Sequence, residues 1–198
     1  IDYDYTLVDY INGDESSAQL TSDGWTVTTG NGGTVTSTTD GIRDYVTLAT
    51  TNANNATANI TRSWASGAGL YCCGYVQNSN AVGTITGTAA MVPYMRNGSR
   101  IYHAHGLIGA PGVRCVNGTS AVGGIGATDS LSTVVWLEVL VIPAGPMYIR
   151  TNRGPWTQLA GAAQLGASAS TDIFYGDSTT SGGGLMLLSE LAIISLSS

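Results

Sequence analysis

Residues 134–152 read Val134-Val135-Trp136-Leu137-Glu138-Val139-Leu140-Val141-Ile142, then Pro143-Ala144-Gly145-Pro146, then Met147-Tyr148-Ile149-Arg150-Thr151-Asn152, and their reading decides the fold. An apolar, β-branched run interrupted only by Glu138, a Pro/Gly turn and a second β-favouring run predict a hairpin. Successive strand residues point to opposite faces, so Val135, Leu137, Val139 and Val141 share one face and Trp136, Glu138 and Leu140 the other. Placing Val141 opposite Met147 sets Val139 against Ile149 and Leu137 against Thr151. The same register sets Glu138 against Arg150 and Leu140 against Tyr148. A slip of one residue would turn Arg150 into the apolar face, so the register with the five-residue loop Ile142–Pro146 is preferred. One face is therefore core, and the other is aromatic and charged.

Further on, a second strand pair is expected from Ile173-Phe174-Tyr175-Gly176-Asp177, a Ser/Thr/Gly loop to Gly184, and the run Leu185 to Ile194. Upstream, short strands are expected at Trp25–Thr29, Thr34–Thr38, Tyr45–Ala49, Ala58–Trp64, Leu70–Gln77, Thr84–Val92, Arg100–His105 and Val113–Val116. Gly30-Asn31-Gly32-Gly33 is a hairpin signal joining the first two of these. Strands recurring at short intervals, with Gly, Ser, Thr and Asn at the joints, predict an all-β antiparallel sandwich with essentially no helix. Asp14-Glu15-Ser16-Ser17 can open one brief helical turn. The first ten residues alternate acidic and aromatic side chains. They read as a terminal strand of the sandwich, or as an arm docking on a neighbouring subunit through Tyr3, Tyr5 and Tyr10.

The chain of 198 residues fits one domain, 1–198, and can bury about 70% of its unfolded surface without a staple. Its net charge of −6, with seven dispersed basic residues that are all arginine, lacks the footprint of nucleic-acid binding and is repelled by an anionic membrane. No apolar run reaches the roughly 18–20 residues of a spanning helix, so no membrane insertion is expected. Ile1 in place of a methionine suggests a processed or trimmed product. Cys72 and Cys73 are strand neighbours pointing to opposite faces, so at most one of them can meet Cys115; zinc would want a CxxC spacing.

A tryptophan opening a long strand, a turn, a strand ending in Asn-Arg-Gly-Pro-Trp (Asn152 to Trp156), Phe-Tyr-Gly-Asp (Phe174 to Asp177) and a final apolar strand resemble the C-terminal half of the concanavalin A-like, laminin-G-like jelly rolls. The resemblance covers roughly residues 130–196. It implies a back-sheet hairpin with an Asn-Gly-like turn and a last strand that closes the sandwich. The chain departs from that pattern at Arg153-Gly154-Pro155, where a plain Asn-Gly would be more usual. Family members include glycan-binding lectins and glucanases, and family lectins bind calcium through loop carboxylates and carbonyls. Asp172 and Asp177 flank a loop of that kind, although two carboxylates do not make six oxygens.

Catalysis finds little support in the residues. Family glucanases place their carboxylates in a Glu-x-Asp-x-x-Glu run, and Glu15, Glu138 and Glu190 instead stand far apart. There is no Gly-x-Ser-x-Gly elbow, and Val122–Gly126 lacks the context of a phosphate loop. His103 and His105 share a strand face about 6.5 Å apart, but no third metal ligand is in register. Sequons at Asn55, Asn59, Asn97 and Asn117 are expected by chance in so Ser/Thr-rich a chain. Trp64, Tyr94, Tyr102, Trp156 and Tyr175 are the aromatics available to stack on a sugar. The expectation is a non-catalytic structural surface protein of a larger assembly, a virion decoration, capsid or tail component. Its partners would be copies of itself and other assembly proteins, at an extracellular or virion surface. The alternative is a lectin-like module binding cell-surface glycans, and a glycoside hydrolase is more remote.

Overall fold

The computed structural model describes residues 4–51, 56–65, 69–80, 92–97, 100–107, 110–117, 120–125, 133–142, 147–158, 170–177 and 184–197. Among them, two antiparallel sheets face each other across one apolar core. Sheet A runs β13 (Thr157–Gln158), β12 (Met147–Thr151), β11 (Val135–Val141), β6 (Gly69–Asn80), β15 (Gly184–Ser197), β4 (Asp44–Thr50), β3 (Thr34–Thr39), with β1 (Asp4–Ile11) also on β15. Sheet B runs β10 (Ser120–Ile125), β9 (Ala110–Asn117), β8 (Arg100–Leu107), β7 (Val92–Asn97), β14 (Ser170–Asp177), β5 (Thr57–Ala65), β2 (Thr26–Gly30). For β7 to β10 and β14 only the backbone is described.

The hairpin register expected from composition is the one observed. Leu137, Glu138, Val139, Leu140 and Val141 face Thr151, Arg150, Ile149, Tyr148 and Met147. Val135, Leu137, Val139 and Ile149 are buried in the core. Strand β6 pairs along the other edge of β11 and adds Leu70, Cys72 and Val76 to the same layer. Both Cys72 and Cys73 are free thiols. One short helix exists, α1 (Ser17–Ser22), started by a capping box between Ser16 and Gln19 and anchored by buried Leu20.

Two expected strand pairs are not pairs. Gly33 N–H does bond Gly30 C=O at 2.9 Å, with Asn31 and Gly32 at φ 48° and 86°, as the local signal requires. Yet β2 pairs with β5 in sheet B and β3 with β4 in sheet A. Val27 and Val35 are the inward apolar residues of these threonine-rich strands, and they enter the core from opposite layers. Likewise β14 pairs with β5 and β7, whereas β15 lies in the other sheet. The turn chemistry was local, but the partners are set by which layer each apolar face covers.

Strand β15 is the spine of sheet A. Along one edge it holds β6, and along the other it holds β4 at Gly184–Leu188 and β1 at Leu191–Ser197. The changeover is a bulge at Glu190, whose φ is 51°. Met186 and Leu188 point into the core before the bulge, and Leu191 and Ile193 after it. Residues 4–11 are thus a terminal strand of their own sandwich, the first of the two readings of this stretch. Ile11 is buried, and Asp9 reaches across to Arg62 of sheet B at 2.6 Å.

Candidate functional site

The outer face of sheet A, turned away from the core, carries aromatic and charged side chains in register. One row crosses Tyr10, Ala192, Cys73, Glu138 and Arg150. The next crosses Leu7, Ile194, Tyr71, Leu140 and Tyr148, and Trp136 lies beside Tyr75 one row the other way. Strands only about 4.8 Å apart place these groups in contact although they come from distant parts of the chain.

Glu138 is the anchor. Its side chain is only 3% exposed, and it accepts two hydrogen bonds from Arg150, Nε and Nη2 each at 2.6 Å, and a third from the Tyr71 hydroxyl. Burial pushes its carboxyl pKa up, but hydrogen bonds from Arg150, Tyr71 and Trp136 and the guanidinium charge outweigh that and hold it below the ordinary value. Tyr71 moves the other way, its phenol driven well up by burial and by donation to Glu138. Arg150 in turn lies under the Trp156 ring at 4.5 Å, and Tyr71 meets the edge of the same ring at 6.3 Å. Trp156 remains 40% exposed.

A second ladder runs parallel to the first. Arg43 sits 3.7 Å from the Tyr75 ring centre, Tyr75 meets Trp136 edge-on at 4.9 Å, and Arg153 covers Trp136 at 5.8 Å. Arg43 also pairs with Glu190 of the bulge at 3.2 Å. Arg153 is held there by its turn. Asn152 N–H bonds Trp136 C=O at 2.7 Å, Asn152 Oδ1 accepts from Trp136 N–H at 3.1 Å, and Gly154 N–H bonds Thr151 C=O at 2.8 Å. Asn152 and Arg153 both have positive φ, 49° and 58°. Asn tolerates this left-handed conformation; an arginine there costs about 1–2 kcal/mol.

Of the residues expected from the sequence to meet a sugar, Trp156 belongs to this face. Trp64 does not: it is buried, with its ring edge-on to Trp25 at 5.4 Å and Arg62 over it at 5.2 Å, so it is core. Tyr94, Tyr102 and Tyr175 lie on β7, β8 and β14, and their side chains fall outside the described residues, as does all of Tyr3. Tyr5 and Tyr10 are exposed on β1. Asn59 is buried and cannot take a glycan; Asn55 and the side chains of Asn97, Asn117 and Cys115 are outside the described residues.

The metal candidates separate in space. Asp172 and Asp177 both lie within β14 rather than on a loop, opposite Ser63 and Ala58. Five strand positions are roughly 16 Å, too far for one calcium ion. His103 stands opposite Tyr94 and Arg114, and His105 opposite Gly112, none of which is acidic, histidine or cysteine. Among the described residues no group of three His, Cys, Asp or Glu could hold a metal, and no helix is long and apolar enough to cross a membrane.

No protein-family model matches the chain, and no curated protein does. Solved structures resemble it throughout its length. Peanut lectin bound to a nine-residue peptide is 10% identical, with a TM-score of 0.62 and 100% of each chain covered. A structure from work on endo-acting O-glycanases that human gut bacteria express to initiate mucin breakdown is 8% identical, with a TM-score of 0.64, covering 96% of this chain and 99% of that one. A carbohydrate esterase of the Shiga toxin-encoding bacteriophage phi24B is 15% identical, with a TM-score of 0.59, covering 98% and 100%. At such identities the likeness concerns fold. This chain has the concanavalin A-like, lectin-type jelly-roll fold.

Proposed function

We propose that the chain is a non-catalytic, lectin-like module that binds a glycan on the outer face of sheet A. The observation that carries this is Trp156, left 40% exposed while Arg150 and Tyr71 fix its orientation. A rigid ring offers apolar area to a sugar face at little entropic cost, and Arg153 on the same face is available to donate directional hydrogen bonds. Among the structural neighbours, a lectin and a carbohydrate esterase favour carbohydrate as the ligand class. Binding without hydrolysis fits the carboxylates. Glu138 is held ionised by Arg150, so it is not poised to give a proton at neutral pH, and Glu190 is tied up in its ion pair with Arg43.

Screening the purified chain on immobilised glycans tests the reading. Trp156→Ala should weaken binding about tenfold, near 1.4 kcal/mol, with the fold retained. A wild-type chain that retains no glycan would sink it. Sugar release abolished by Glu138→Gln or Glu190→Gln would instead make the protein a hydrolase.

The reading as a structural component of a virion surface keeps one observation of its own. Tyr5 and Leu7 lie 76% and 58% exposed on the terminal strand, where packing between copies would cover them. A phage protein among the structural neighbours is consistent with it. Tyr5→Ser with Leu7→Ser should then abolish self-association measured by sedimentation; a monomeric wild type removes this reading.

A further inference from the structure

We infer that the glycan taken by this face is acidic, and that Arg153 is the residue that reads its negative charge. The inference rests on the glycan-binding reading and names its substrate class. Four arginine side chains are described. Arg43 pairs with Glu190, Arg62 with Asp9 and Arg150 with Glu138. Arg153 has no carboxylate partner among the described residues. In a chain of net charge −6 with only seven basic residues, an unneutralised guanidinium is a scarce object.

Its position is also costly to maintain. The second central position of a two-residue turn with positive φ at both residues is one that glycine fills without strain, and here it carries arginine at φ 58°. Backbone strain of this kind persists only where the surrounding structure holds it, and it clusters at functional sites. Asn152 clamps the turn to both backbone groups of Trp136, and the guanidinium is laid over that ring at 5.8 Å. The flat cation is therefore preoriented beside an aromatic plate on the same face as Trp156. Its planar fork matches the two oxygens of a carboxylate or a sulfate, so an acidic sugar would stack its ring and present its anion together.

The test compares matched pairs of oligosaccharides by calorimetry at low and moderate salt. An oligogalacturonate is set against its methyl ester, and a sulfated carrageenan oligosaccharide against its desulfated form. One pair isolates the carboxylate and the other the sulfate. The wild type should bind at least one acidic member about tenfold tighter than its neutral counterpart. Arg153→Gly should erase that preference while melting no lower than the wild type, because it relieves the strained φ. Arg153→Lys, which keeps the charge but loses the fork, should retain only part of it. Equal binding of acidic and neutral sugars, or a preference that survives Arg153→Gly, overturns the inference and leaves glycan binding standing. A wild type that binds none of the four but is retained on other glycans overturns the inference alone, and one that no glycan retains overturns both.

Discussion

At the scale of single residues, Glu138 shows how a carboxylate can sit on the outward face of a sheet and still be buried. Arg150, Tyr71 and Trp156 roof it over, and removing it would strand the guanidinium and a phenol that now has its partner. Glu138→Ala should cost about 3 kcal/mol, which lowers the melting temperature by roughly 6–12 °C in a chain of this size. The pH dependence follows from the direction of its shift. A carboxyl whose folded pKa lies below its ordinary value of about 4.5 binds fewer protons folded than unfolded, so its stabilisation is complete above about 4.5 and drains away as pH falls through the folded value. Melting temperatures of wild type and Glu138→Gln should therefore stand apart at pH 7 and draw together as pH falls below the ordinary carboxylate range. Parallel curves would mean the pair contributes nothing. The Glu138–Arg150 contact was legible in the sequence because a hairpin register follows from local alternation. The edge-on contact of Tyr75 with Trp136 was not, since nothing local says that β6 lies beside β11.

Among the elements, the same division appears in the turns. Gly30 to Gly33 announced its conformation correctly, but it hands the chain from one sheet to the other. Only the competition of all apolar faces for one core decides that. The changeover on β15 was equally hidden. Glu190 is a non-glycine residue in the left-handed region inside an apolar run, and its role as a bulge depends on β1 arriving where β4 leaves off. Gly74 of β6 is matched to that bulge. A Cβ there would lie 2.3 Å from Leu191 Cδ2 and 2.8 Å from Leu191 Cα, a clash with backbone that no rotamer relieves. Gly74→Ala should accordingly destabilise by about 1–3 kcal/mol, seen as a lower denaturant midpoint with an unchanged slope. An unshifted midpoint would mean that β6 and β15 stand further apart at the bulge.

At the scale of the whole molecule, the first and last described strands close sheet A on one another, from Asp4 against Ser197 to Ile11 against Leu191. Pairing between strands this far apart in sequence raises the contact order, which slows folding. Strand β1 also joins the layers, because Asp9 pairs with Arg62, whose guanidinium further donates to Asp23 C=O at the end of α1. Deleting residues 1–10 would remove the cover from the Leu191–Ser197 edge of β15 and leave a half-buried arginine without its carboxylate. The truncated chain should melt more than about 10 °C lower, or fail to fold, and its bared strand edge should promote aggregation in gel filtration. Asp9→Asn separates the two contributions. It keeps the strand and weakens only the ion pair, and it should cost about 1–3 kcal/mol by itself. A truncated chain that melts with the wild type would show that β1 is dispensable to its own sandwich, and the exposed Tyr5 and Leu7 would then belong to a neighbour's surface.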